Sequence, residues 1–296
     1  MKKFPKCYDV LAKLEEPPQN STVEHELEVL QGKSDDYEIP RQLASIRLYL
    51  REMIWECVAR WMDATKGASN YRVLLNSIRA AKSEDETCLV TFNYDTMLED
   101  ALRTRGKTIR RIEDYVPDMP FYKTIKLHGS VNWVHPVSSL RRDAIASMTD
   151  IEVAQQLIGD PPVLDEEEKN VFEIVESPVS KKGDRAFVPA LAIPTETKRS
   201  YECPQHHIDV LTKHLPEVTK IIVIGWAANE DNFLKLLAQS LKDAPRTIIV
   251  AGSAKGGNEV KEKLLRAGIH FTSSSITVTQ GGFSNFVRGE ADRFLS

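Results

Sequence analysis

A chain of 296 residues, 42% hydrophobic and 28% charged, is long enough to bury a sizeable core and has the balance of an ordinary soluble globular protein. A formal net charge of −4 gives no overall attraction to nucleic acid or to an anionic membrane surface. Cys7, Cys57, Cys88 and Cys203 are scattered without a CxxC pair, which argues against a structural zinc site and for reduced thiols in the cytoplasm.

From the N-terminus, no apolar signal core follows Lys2 and Lys3, and a short helix is expected over 8–16. EHELEVLQG suggests a second helix ending near Gly32. A long amphipathic helix is expected from Arg41 to about Thr65. Leu43, Ile46, Leu50, Met53, Ile54, Cys57, Val58 and Trp61 recur there at three- and four-residue steps, as one buried face requires. Residues 71–82 continue the helical pattern.

The pattern then changes to short apolar runs: CLVTF (88–92), YKTIKL (122–127), AFVPALAIP (186–194), KIIVIG (220–225) and TIIVAG (247–252). Helical stretches TMLEDALRT, NEDNFLKLLAQSLK and NEVKEKLLRAG lie between or after them. Strands alternating with helices predict an α/β fold, a Rossmann-like parallel sheet flanked by helices, with a helical layer at its N-terminal side. Even IIVIGWAA (221–228) is too short to span a bilayer. The chain is expected to be one domain over 1–296. Residues 138–185, with their acidic DEEE run, form an inserted, partly helical and partly mobile excursion.

Three strand ends carry chemistry-bearing residues, and ligands of parallel sheets sit beyond such ends. TFNYD places Thr91, Asn93 and Asp95 at alternate positions, so that an extended backbone would put them on one side. Asn93 and Asp95 are also good helix caps for the segment that follows. KLHGS places His128 just past its strand, as an acid–base group or an ordinary loop residue. Gly225 ends a third strand, where it either approaches a ligand or allows a tight turn, and Asn229 or Glu230 can open the next helix. Gly252 and Ser253 follow a fourth, near a ligand or in a plain turn. Trp133 is expected in the core.

TFNYDTMLEDAL, KLHGSVNW and IIVIGWAANEDNFLKLL, in this order, resemble the sirtuin-like domain family in its zinc-free bacterial branch, over about residues 21–250. EHELEVL resembles the short acidic helix of such chains. The resemblance implies cleavage of NAD to nicotinamide and ADP-ribose in anti-phage defence, with NAD as substrate, no metal, and a sensor protein or further copies of the chain as partner. It implies His128 as general base and Asn93 as the holder of the nucleophile. Thr91 and Asp95 would shape the nicotinamide end, and Gly225, Gly252 and Ser253 would line the rest of the dinucleotide site.

Two features depart from the family pattern. No glycine precedes Gly32, so the family's glycine-rich phosphate loop is missing before the long helix; either the start lies inside a longer protein or the loop has been lost. Ala227 stands where a hydroxyl residue is common. A non-catalytic nucleotide-binding or scaffolding module is therefore the alternative, with NAD-dependent deacylation a third.

Overall fold

The structure, a computed structural model, describes Leu27, Val29 and residues 38–81, 87–118, 122–193, 201–271 and 275–296. The helix expected over 8–16 lies outside the described residues, and of that expected over 24–30 only Leu27 and Val29 are described, both helical.

Helix α1 spans Glu38–Thr65. Its one proline, Pro40, sits in the first turn, where no intrahelical N–H bond is lost. It ends at Gly67, whose positive φ of 74° lets its N–H bond back to the Met62 carbonyl at 3.0 Å. Helix α2 (Asn70–Ala80) then starts on Ser69, whose hydroxyl accepts from the Arg72 N–H. The expected apolar face of α1 is buried only in its first half. Ile46 is buried, whereas Met53, Cys57 and Trp61 are exposed. The buried residues of the helix end at Arg51, and beyond it Ile54 and Val58 are half-buried.

The next elements are β1 (Cys88–Thr91), α3 (Met97–Arg103), a 3-10 turn (Ile112–Tyr115), β2 (Lys123–Lys126) and β3 (Gly129–Val137). Helices α4 (Arg142–Ser147), α5 (Asp150–Gly159) and α6 (Glu166–Asn170) follow, then β4 (Glu173–Ile174), β5 (Lys181–Lys182) and β6 (Arg185–Leu191). The chain closes with α7 (Gln205–His214), β7 (Lys220–Ile224), α8 (Asp231–Ser240), β8 (Arg246–Val250) and α9 (Ala254–Arg266). Last come β9 (Ile276–Thr279), α10 (Gly282–Gly289) and α11 (Ala291–Leu295).

The fold is α/β, with parallel pairing in β1–β2 and in β7–β8–β9. Side chains alternate along these strands into two cores. Cys88, Val90, Ile125, Ile221, Val223 and Ile249 face one core with α7, α8 and α9. Leu89, Ile222, Ile224, Ile248 and Val250 face the other with α2, α3, α10 and α11. Both faces are thus covered by helices, which is why these strands read as continuous apolar runs.

The run 186–194 departs from the expected parallel pairing. Within it, β6 pairs antiparallel with β3 and β5, in a sheet ordered β4–β3–β6–β5. The physical reason is its connection: β5 and β6 are joined by a tight turn at Gly183 (φ 63°), which only antiparallel neighbours permit. Between β3 and β6 the chain forms α4, α5, α6, β4 and β5. Arg51 of α1 ties this excursion down, donating to the Val179 carbonyl at 3.0 Å and to Ser180. Burial lowers the Arg51 pKa to about 10, which still leaves the guanidinium charged at neutral pH.

A buried polar network crosses between the sheets. Lys126, on the last residue of β2, pairs with Glu99 of α3 at 2.9 Å and also donates to the Asp95 carbonyl. Tyr115 donates to the same Glu99 oxygen at 2.8 Å, and the Trp133 indole donates to the Tyr115 hydroxyl at 3.2 Å. Trp133 is fully buried, edge-on to Tyr115, as a core residue. His207 of α7 packs on both rings and is also fully buried; burial pushes its pKa down to about 4, so the ring is neutral near pH 7.

Glu99→Ala strands the Lys126 ammonium and should cost about 3–5 kcal/mol in urea unfolding. The double variant Lys126→Met/Glu99→Leu, which removes both charges, should be measurably more stable than Glu99→Ala alone.

Candidate active site

His128 lies in the two-residue turn between β2 and β3, and hydrogen bonds hold that turn on several sides. Leu127 donates to the Thr91 carbonyl at 3.1 Å and accepts from Glu202 at 3.0 Å. The His128 carbonyl accepts from Ala192 at 3.0 Å, and Val131 donates to the Tyr94 carbonyl at 2.9 Å. Gly129 explains why glycine follows this histidine. Its φ is 79°, and a Cβ there would stand 2.0 Å from the Ala190 carbonyl oxygen. The turn can press against β6 only without a side chain at that position.

The imidazole is 2% exposed. Phe92 and Tyr94, from the loop after β1, have ring centroids 5.0 and 6.1 Å from it. Trp226, from the loop after β7, stacks on Phe92 at 5.4 Å with the planes 13° apart. In that same loop Glu230 accepts a hydrogen bond from the Trp226 indole, and its other oxygen stands 4.0 Å from His128 Nε2. The strand ends of β1, β2 and β7 therefore converge on one aromatic-walled histidine.

Thr91 closes β1 and its hydroxyl accepts from the Asn93 N–H at 3.1 Å. The strand ends there, so the shared side expected of an extended TFNYD does not extend through Asp95. Asn93 is exposed, and its side-chain amide donates to the Tyr71 hydroxyl of α2 at 3.0 Å. Burial, helped by the Asp95 charge, raises the Tyr71 pKa and keeps this hydroxyl protonated. Asp95 comes one residue before the helix cap, Thr96; its Oδ1 accepts from the Met97 N–H at 2.9 Å, at the start of α3.

Gly225 ends β7 with φ 62°, and a Cβ there would meet nothing within 4 Å. Gly252 faces equally open space after β8. Ser253 caps α9, its hydroxyl accepting from the Gly256 N–H at 3.2 Å. The structure thus gathers Thr91, Asn93, Asp95, His128 and Gly225 around the ends of β1, β2 and β7, while Gly252 and Ser253 belong to the next turn along.

Sequence reasoning did not find Phe92, Tyr94, Trp226 or Tyr71. An aromatic residue directly after each apolar strand, Phe92 after CLVT and Trp226 after IIVIG, was the available signal for two of them. Tyr71 had none, because only tertiary packing brings α2 to Asn93. Among the described residues no group of three His, Cys, Asp or Glu side chains is placed to hold a metal ion, and no helix is long and apolar enough to cross a membrane. The Cys88 thiol is free, and burial pushes its pKa up to about 12.

Gly129→Ala should destabilise the protein by more than about 3 kcal/mol in thermal or urea unfolding, because strain and a backbone clash add. Gly225→Ala, strained but with open space, should cost only about 1–2 kcal/mol.

No curated protein and no solved structure gives a significant match to the chain. Residues 87–269, well over half of the chain and including every site residue named above except Tyr71, match the family profile of the SIR2-like domain. The chain belongs to the SIR2-like domain family.

Proposed function

We propose that this SIR2-like domain hydrolyses NAD to nicotinamide and ADP-ribose. The observation that carries the reading is the convergence of His128, Phe92 and Trp226 beyond the ends of β2, β1 and β7, with Asn93 on the loop after β1 and open space beside Gly225 and Gly252.

In the reaction, the bond from ribose C1′ to the nicotinamide nitrogen breaks and its electron pair stays on the ring, which leaves neutral. C1′ takes on oxocarbenium character and accepts an oxygen lone pair from water. The water loses one proton to His128, whose imidazole has the chemistry to accept it near neutral pH. Asn93, an amide that both donates and accepts, orients the water or a ribose hydroxyl. Its N–H is taken up by Tyr71, so its carbonyl oxygen is the part of the amide that would accept from the nucleophile. Phe92 and Trp226 supply an apolar wall against which a planar nicotinamide can leave. The protein would work in the bacterial cytoplasm as an anti-phage effector that depletes NAD. A sensor protein or further copies of the chain would trigger it. That role rests on the zinc-free bacterial branch which its three motifs resemble.

A second reading is a module that binds nucleotide without cleaving it; Ala227, in the loop after β7, has no hydroxyl to offer a phosphate or ribose. Nicotinamide release from NAD by the purified chain distinguishes the two. Under the proposal, His128→Ala should lower the rate by roughly 10²–10⁴ and Asn93→Ala should lower it as well. Equal rates in all three proteins would rule out the mechanism, and saturable NAD binding with no release would favour the second reading.

A further inference from the structure

We propose that Glu230 is the charge partner of His128: anchored by Trp226, it supplies the charge opposite the imidazolium that forms when the ring takes a proton. This assignment rests on His128 being the base of the proposed reaction.

The two oxygens of Glu230 face different partners. One accepts the Trp226 indole N–H; the other stands 4.0 Å from His128 Nε2. At that distance the carboxylate acts through its charge rather than through a hydrogen bond. The pair is poorly solvated, with side chains 2% and 17% exposed, so the charge is weakly screened. The anchor is rigid from both directions. The Trp226 ring is stacked on Phe92, and the Glu230 carbonyl accepts from Phe233 and Leu234, both at 3.0 Å, where α8 begins.

The loop between them is bent at Ala228, a buried non-glycine residue with φ 53°. Such a conformation persists only where the surroundings enforce it. Lys263 of α9 helps to do so, bonding the Ala227 carbonyl at 2.9 Å and the Asn229 side chain.

The other titratable groups around the pair are engaged elsewhere or ionise outside the acid range: Glu202, on the segment bonded to the Leu127 carbonyl, has its carboxylate on His135 at 2.6 Å. Tyr94, from the β1–α3 loop, and Tyr201, from the segment before α7, are phenols uncharged near neutral pH. Burial, with the Cys203 and Glu230 charges, pushes the Tyr201 pKa up to about 12. Lys126, behind the histidine, is already paired with Glu99. An anion at this distance favours the protonated ring, so His128 holds its proton to higher pH with Glu230 than without it.

The test is a histidine-labelled NMR titration of the full chain, with the His128 resonance assigned from His128→Gln. In Glu230→Gln the His128 midpoint should fall by about one unit or more, and Glu230→Asp should recover part of that shift. Trp226→Phe, which keeps the ring and removes only the indole anchor, should move the midpoint in the same direction by less. It serves as the test if Glu230→Gln does not fold. The acid limb of nicotinamide release should move with the midpoint. An unchanged midpoint in both Glu230→Gln and Trp226→Phe overturns the assignment, even in an active enzyme. A shifted midpoint in a protein that releases no nicotinamide at any pH supports the pair and overturns NAD cleavage instead.

Discussion

The buried ammonium of Lys126 is the contact on which the candidate site depends. Its side chain is 1% exposed, so it must be neutralised in place, and it is, by Glu99 of α3 and the backbone carbonyl of Asp95. The ammonium and its two partners belong to the end of β2, the helix α3 and the loop after β1. His128 comes two residues after Lys126, and Asn93 two residues before Asp95. One cation thus holds in register the two chain segments that carry the proposed base and the proposed nucleophile holder. Tyr115 and Trp133 extend the same network into the antiparallel sheet, so the inserted strands and the parallel strands share a polar core as well as an apolar one.

A histidine placed in this way is shielded from bulk water yet remains next to groups that can tune it. Phe92 and Trp226 form a stacked wall on one side, and a Glu230 carboxylate oxygen lies 4.0 Å from its Nε2. Tight packing around the turn has a cost in sequence freedom, because Gly129 lies against the Ala190 carbonyl and admits no side chain. The His-Gly pair is therefore two requirements side by side: a titratable ring at the strand end, and an unobstructed backbone behind it.

Much of this was legible in the sequence, for identifiable reasons. Strands buried on both faces read as unbroken apolar runs, so CLVT, KIIVI and TIIV announced themselves, and the helices after them followed the 3.6-residue period. The antiparallel role of AFVPAL was not legible, since an apolar run looks the same in either sheet and only the Gly183 turn decides its direction. The α1 stripe from Met53 to Trp61 was read correctly as periodic, but Met53, Cys57 and Trp61 are exposed and Ile54 and Val58 half-buried, because periodicity does not say how deeply a face is covered. In the site, His128 and Asn93 stood out as polar residues at strand ends. Asp95 comes one residue before the helix cap, Thr96, and its side chain accepts from the first helical N–H, that of Met97. Tyr71 reaches Asn93 only through folding, and Glu230 could be seen in the sequence merely as a residue that opens a helix.

The central claim is that the aromatic-walled histidine at the ends of β1, β2 and β7 is where NAD sits. Chemical-shift perturbation by NAD tests it most directly, by following the Trp226 indole N–H and the His128 ring in the full chain carrying Asn93→Ala to slow turnover. The account predicts that both signals move saturably and together with NAD, and that the Trp133 indole, buried in the Tyr115 network, stays in place. A titration in which NAD leaves Trp226 and His128 unmoved at saturating concentration would contradict it.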